Sequence, residues 1–249
     1  MTQHTLKGRT EAEIQWFRRR SFLQAAAAWT AAGGFGGALA EQRSNVVELF
    51  GDAMANGRKI TGRSLVQTGD DVQTGPGSNL IFVIGNSAFQ VRQNSRMVVE
   101  RGPTLNVVSM LRVITGAVVS VWGKGTPHRI VTPTLTAGIR GTGAYTEVFP
   151  EQDMRSYFCN CYGVVDMAAG PDRVLSRSDY HQSFWGEVQP KNGRMLTPAK
   201  AINHTDEELE TLAELVGQRT AWQALGRTGV KDGLGAMEQR PPEAHPAYR

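Results

Sequence analysis

Between Asn45 and Met167 the chain is a series of short apolar segments cut apart by glycine, and this punctuation limits the fold more than any other feature. Ser64-Leu65-Val66 leads to Thr68-Gly69-Asp70-Asp71, and Thr74-Gly75-Pro76-Gly77-Ser78 leads into Asn79-Leu80-Ile81-Phe82-Val83-Ile84. After Gly85-Asn86-Ser87, the stretch Ala88-Phe89-Gln90-Val91-Arg92 alternates apolar and polar residues with the period of a strand. Leu105 to Val108, Met110 to Val113, Val118 to Val121 and Arg129 to Thr132 continue the pattern. Glycine accounts for 28 of the 249 residues, yet β-branched and aromatic residues fill the intervals, so the glycines read as turns in a folded domain. No long helical stretch separates the strands, which disfavours a doubly wound α/β fold. The expected fold is all-β, a short-stranded two-sheet sandwich or a β-solenoid-like domain. A weak internal echo sets Gly116-Ala117-Val118-Val119-Ser120-Val121 against Gly163-Val164-Val165-Asp166-Met167, and it reads as two glycine turns that each open a strand.

After Pro190 the pattern changes. Thr205-Asp206-Glu207-Glu208 is a capping box, in which the Thr hydroxyl accepts from the Glu208 amide while the Glu208 carboxylate reaches back. Leu209, Leu212, Leu215 and Val216 then form an apolar stripe that stops at Gly217. One C-terminal helix docked on the β domain is expected there. The last residues hold Pro241-Pro242 and little apolar content, as a flexible tail does. The organisation predicted is a signal over residues 1–40, a β domain over 41–190, a linker and helix over 191–220, and a tail over 221–249.

The N-terminus resembles a twin-arginine export signal. Arg19 and Arg20 precede one variable residue and then Phe22-Leu23, ahead of a weakly apolar Ala/Gly stretch. That stretch closes on Ala38-Leu39-Ala40, with small residues at Ala38 and Ala40 where a signal peptidase cuts. The rival reading is an alanine-rich membrane helix, which Gly33, Gly34, Gly36 and Gly37 disfavour, and an uncleaved anchor is the form it would take. The expected location is therefore the periplasm of a Gram-negative envelope. The export machinery is then a partner, and membrane contact occurs only through an uncleaved signal. The formal charge of +4 is no nucleic-acid footprint: residues 1–40 carry five basic residues against Glu11 and Glu13, a net +3, which leaves +1 for the remainder.

The β region resembles the FecR domain, the periplasmic module of iron-transport regulators. The matching stretches are Gly62-Arg63-Ser64-Leu65, Thr68 to Gly75, Asn94-Ser95 and Leu111 to Val118, and the most specific runs from Val131 to Gly143. Within it, Arg140-Gly141-Thr142-Gly143 reads as a structural corner: the glycines admit unusual backbone angles, and Arg140 would donate to carbonyls across the corner. A lesser alternative is anion binding. Family regulators carry a cytoplasmic anti-sigma segment, for which 40 residues of export signal leave no room. The resemblance therefore implies the fold, the compartment and a binding role for an unknown periplasmic protein or ligand, without transmembrane signalling.

The search for catalytic patterns finds no His-Glu-x-x-His, no Gly-x-Ser-x-Gly and no phosphate loop, so a non-enzymatic protein is expected. One cluster remains: Cys159 and Cys161 in Tyr157-Phe158-Cys159-Asn160-Cys161-Tyr162, with His181 twenty residues further on. Residues two apart on a strand share a face. Three readings stand in order of preference: the thiols pack as small apolar fillers, they bind a metal or cofactor with His181, or they pair as a disulfide on a bent backbone. The alternative function is thus a metal- or redox-binding protein, its cofactor unknown. Asn203-His204-Thr205 matches a glycosylation sequon and is taken as chance.

Overall fold

The computed structural model describes residues 44–227 and Gly229; Arg19, Arg20, Phe22, Leu23, Ala38, Ala40 and residues 228 and 230–249 of the expected tail lie outside them. The glycine-cut segments form fourteen strands among the described residues. They are β1 (Val46–Phe50), β2 (Ala53–Ala55), β3 (Arg58–Lys59), β4 (Asp71–Thr74), β5 (Asn79–Ile84), β6 (Ser87–Val91) and β7 (Arg96–Arg101). There follow β8 (Val108–Val121), β9 (His128–Val131), β10 (Thr136–Phe149), β11 (Arg155–Ala169), β12 (Asp172–Ser178), β13 (Gln182–Lys191) and β14 (Arg194–Ala199). Hydrogen bonding joins them in one continuous sheet, all-β as expected.

Three long strands exchange partners halfway along, and this bends the sheet around its core. The first half of β8 pairs with β7 and its second half with β6 and β10. The first half of β10 pairs with β9 and its second half with β8. Ser156–Asn160 of β11 pair with β13, and Gly163–Ala169 pair with β12. The exchange in β8 and β11 falls at Gly116 (φ +73°) and Gly163 (φ +104°), where a Cβ would come within 2.6 Å of the Ser95 Cα and 2.9 Å of the Gly141 oxygen. These two glycines are therefore corners inside continuous strands, not turns that open new ones. Only a residue without a Cβ takes a left-handed conformation against a neighbouring backbone so cheaply.

The Arg140–Gly143 motif is a third such corner. Gly141 has φ +62°, the β10–β11 register slips on both sides of Gly143, and a Cβ on Gly143 would lie 2.3 Å from the Tyr162 ring. Thr142 is buried and its hydroxyl donates to the Tyr162 carbonyl. Arg140 differs from expectation: it is exposed, and no hydrogen bond from its guanidinium crosses the corner among the described residues.

The expected boundary at 190 falls inside a hairpin, since β13 runs to Lys191 and β14 returns from Arg194 to pair with it. Helix α1 (Asp206–Leu215) then forms with both capping-box bonds present, Thr205 N donating to Glu208 Oε2 at 2.7 Å and Glu208 N to Thr205 Oγ1 at 3.3 Å. Leu209, Leu212 and Leu215 are buried against Ile81, Val119, Val121 and Tyr145, on the sheet face opposite the main core of Phe82, Phe89, Trp122 and Phe158. A second capping box, Thr220 with Gln223, starts the one-turn helix α2 (Ala221–Ala224), whose Trp222 is 1% exposed. The ordered chain thus extends past residue 221, where the tail was expected to begin, because a tryptophan has a site to fill. No helix of the described residues is long and apolar enough to cross a membrane.

The candidate metal centre

Beneath α1 and α2 the chain brings Cys159, Cys161, His181 and His204 together, all fully buried, with their ligand atoms within 4.8 Å of one another. Cys159 and Cys161 project from one face of β11 just before its corner at Gly163. His181 occupies the three-residue turn between β12 and β13, held by its main-chain N–H to the Cys161 carbonyl at 2.9 Å. His204 lies between β14 and the first turn of α1. The approach of His181 to the two thiols belonged to the second of the three readings, metal or cofactor binding, behind simple packing. His204 was taken for part of a chance sequon, and nothing in its local sequence marks it as a partner. The thiols are free, with Sγ atoms 3.6 Å apart, so the disulfide alternative does not describe this state.

Three of the six ligand-to-ligand distances have the length of a tetrahedral edge, and all six lie within 4.8 Å. Zinc holds sulfur at about 2.3 Å and imidazole nitrogen at about 2.0–2.1 Å, which gives S···S, S···N and N···N edges of roughly 3.8, 3.5 and 3.3 Å. The structure has 3.6 Å for Cys159–Cys161, 3.5 Å for Cys159 Sγ to His181 Nδ1, and 3.1 Å for His181 Nδ1 to His204 Nε2. Each imidazole is oriented by a partner at its far nitrogen. His181 Nε2 lies 2.7 Å from Asp206 Oδ1, and His204 Nδ1 lies 2.6 Å from the Ile202 carbonyl. Both outer partners are acceptors, so both outer nitrogens carry hydrogen. The inner nitrogens lie 3.1 Å apart: with a proton on one ring this is an N–H···N hydrogen bond, and with a cation between them both would be ligands. Carboxylate and carbonyl partners of this kind are what ligating histidines use to fix tautomer and ring orientation.

The surroundings favour a cation as well. Burial raises the Cys159 thiol, but hydrogen bonding from Cys161 and the nearby imidazoles outweigh it and hold Cys159 well below the ordinary thiol range. Burial, with Cys159 as its neighbour, pushes Cys161 up. Burial pulls His181 down, while Cys159 and Asp206 push it up to about 9. Asp206 also accepts from the Tyr180 hydroxyl at 2.9 Å and stands at the first position of α1, where the helix dipole favours an anion. Aromatic rings close the site: Tyr145 stacks on His204 at 4.7 Å, Trp222 stacks on His181 at 5.4 Å, and Tyr162 meets Trp222 edge-on at 5.5 Å. The corner motif Arg140–Gly143 supplies no ligand; its part is the space at Gly143 into which the Tyr162 ring packs.

A surface groove of about 630 Å³ lies on the β13–β14 hairpin, lined by Trp185, Lys191, Arg194, Thr197 and Lys200. Its Trp185, Ala199 and Ile202 also pack against the apolar cluster that contains Cys159 and Cys161, and its charged walls are exposed.

No family model matches the chain, and neither does any curated protein. Among solved structures, the chain is similar to two crystal structures of a candidate anti-sigma factor from Parabacteroides distasonis ATCC 8503, at 2.50 and 1.65 Å resolution. Identity is 12% in both, with TM-scores of 0.42 and 0.43; the match covers 53% of this chain and 60% of those.

Proposed function

We propose that this chain is an exported, non-enzymatic binding module of the cell envelope whose functional centre is a Cys₂His₂ site for a zinc-class cation. The observation that carries the reading is the gathering of two thiols and two imidazole nitrogens, all buried, within 4.8 Å of one another. Four protein ligands with no open position are the mark of a structural or regulatory ion rather than a catalytic one. Two thiolates neutralise a divalent cation, which suits a site with no exposure to solvent; a monovalent copper ion would leave a buried negative charge. The FecR-like motifs support a binding role for the β domain, and the twin-arginine order supports export after folding. A chain folded in the reducing cytoplasm takes its metal before its thiols meet an oxidant.

Elemental analysis of anaerobically purified protein tests this directly. About one zinc per chain is expected, falling below roughly a tenth of that in Cys159→Ser or His204→Ala, since each removes one of four ligands. A metal-free wild-type protein, in which Cys161→Ala merely lowers stability, would return the thiols to the role of core filler. Export has its own test: Arg19→Lys combined with Arg20→Lys should leave the protein in the cytoplasm with its signal attached. Normal periplasmic recovery of that double variant would point to the general secretory route instead.

A further inference from the structure

We infer that the outward face of β9 to β12, centred on Gly138 and carrying Arg129, Arg140 and Arg177, docks an extended acidic segment of a partner protein. This face is separate from the cysteine–histidine site and does not depend on an ion there. The pairing registers put its residues side by side. Gly138 stands opposite Arg129 of β9 on one side and opposite Asp166 of β11 on the other. Two residues along β10, Arg140 stands opposite Val164, which in turn stands opposite Arg177 of β12. Opposed residues, and residues two apart on a strand, share one face of a sheet. Burial agrees: Arg129, Arg140, Asp166 and Arg177 are exposed, whereas Ile130, Ile139 and Val165 are buried.

The charges here lack the compensation that their neighbours have. Further along the same sheet, Arg96 of β7 pairs with Asp71 of β4 at 2.6 Å, and Arg112 of β8 pairs with Glu100 of β7 at 3.0 Å. The guanidinium groups of Arg129, Arg140 and Arg177 make no ion pair or hydrogen bond among the described residues, with Asp166 or with any other acid. Like charges on neighbouring strands repel, a cost that an acidic partner would offset.

Gly138 supplies an independent sign. Its φ is not left-handed, and a Cβ there would meet nothing nearer than the Asp166 carbonyl oxygen at 3.5 Å, an ordinary contact. Neither backbone nor packing requires this glycine. Glycine weakens a strand interior, and there it often marks a place where a ligand or another backbone comes close. The gap it leaves lies between Arg129 and Arg140, diagonal neighbours about 7–8 Å apart. Carboxylates two residues apart on an extended segment are about 6.6–6.8 Å apart, and each guanidinium can hold one through two parallel bonds. A bilayer offers no such spacing, and none of the exposed large apolar side chains among the described residues stands on these four strands.

Fluorescence anisotropy on the full chain tests the face, using a short labelled peptide that alternates glutamate with threonine and its counterpart with glutamine in place of glutamate. The glutamate peptide should bind, more weakly as salt rises, and the glutamine peptide should not. Arg129→Gln combined with Arg140→Gln should weaken binding at least ~10-fold. Gly138→Val, which fills the gap, should do the same without lowering the unfolding midpoint. Arg194→Gln, which removes a cation from the β13–β14 groove instead, should leave binding unchanged. Failure of the glutamate peptide to bind, equal binding of the glutamine peptide, or an equal loss in Arg194→Gln overturns the inference, as does full binding by the double arginine variant or by Gly138→Val. Binding to phosphatidylglycerol vesicles in place of the peptide also overturns it, by making the face a membrane surface.

Discussion

Cys161→Ser is expected to lower the thermal unfolding midpoint of the zinc-loaded protein by roughly 8–16 °C. An ion present at about a thousand times its dissociation constant, bound only by the folded state, contributes about 4 kcal/mol. For a domain of this size each kcal/mol shifts the midpoint by roughly 2–4 °C. Serine removes a soft ligand and substitutes a hydroxyl that zinc holds poorly, so most of that linkage disappears. A buried hydroxyl would carry its own cost of about 1–3 kcal/mol even if no metal were involved. The two contributions separate by calorimetry in excess chelator, where the gap between wild type and variant should shrink to the hydroxyl cost. A gap of the same size with and without chelator would show that Cys161 only fills space.

Arg92→Met should destabilise the protein by about 3–5 kcal/mol, because it leaves the Glu208 carboxylate buried without its counter-charge. Arg92 has 6% of its side chain exposed and Glu208 has none. The guanidinium also donates to the Asn203 carbonyl and to the Tyr145 hydroxyl, so it joins β6 to the start of α1. The double variant Arg92→Met with Glu208→Gln should recover much of the loss, since glutamine is neutral and still caps Thr205. Urea unfolding in the presence of chelator isolates this interaction from the metal. A single-variant cost below about 1 kcal/mol would mean that water reaches the pair and screens it.

Much of the fold was legible because its signals are local. Strand period and glycine marked the sheet, and the Thr205–Glu208 spacing located α1, its Leu209, Leu212 and Leu215 stripe buried as expected. The same capping rule applied to Thr220 and Gln223 would have found α2, so there the signal was present and missed. The hairpin β13–β14 was hidden by Pro190, which reads in isolation as a strand breaker yet lies within β13. The corners at Gly116 and Gly163 were visible as glycines, but whether a glycine ends a strand or bends it depends on which backbone comes close, and that is a tertiary fact. The site divides along the same line. Two thiols two residues apart announce a shared face, whereas His204 is 43 positions beyond Cys161 and reaches it only through the path of β13 and β14.

The exchange of partners along β11 also decides where His181 stands. Its first half lies beside β13 and its second half beside β12, so the sheet forks at Gly163, and the connection from β12 to β13 has to bridge the two branches. Asp179, Tyr180 and His181 are that bridge, three residues long, and it sets His181 Nδ1 3.5 Å from the Cys159 thiol. The position of His181 is thus a property of strand branching before it is one of side-chain chemistry. A single residue inserted in this bridge would leave both branches paired and yet carry the imidazole away from the two thiols, because the span has no slack to absorb it.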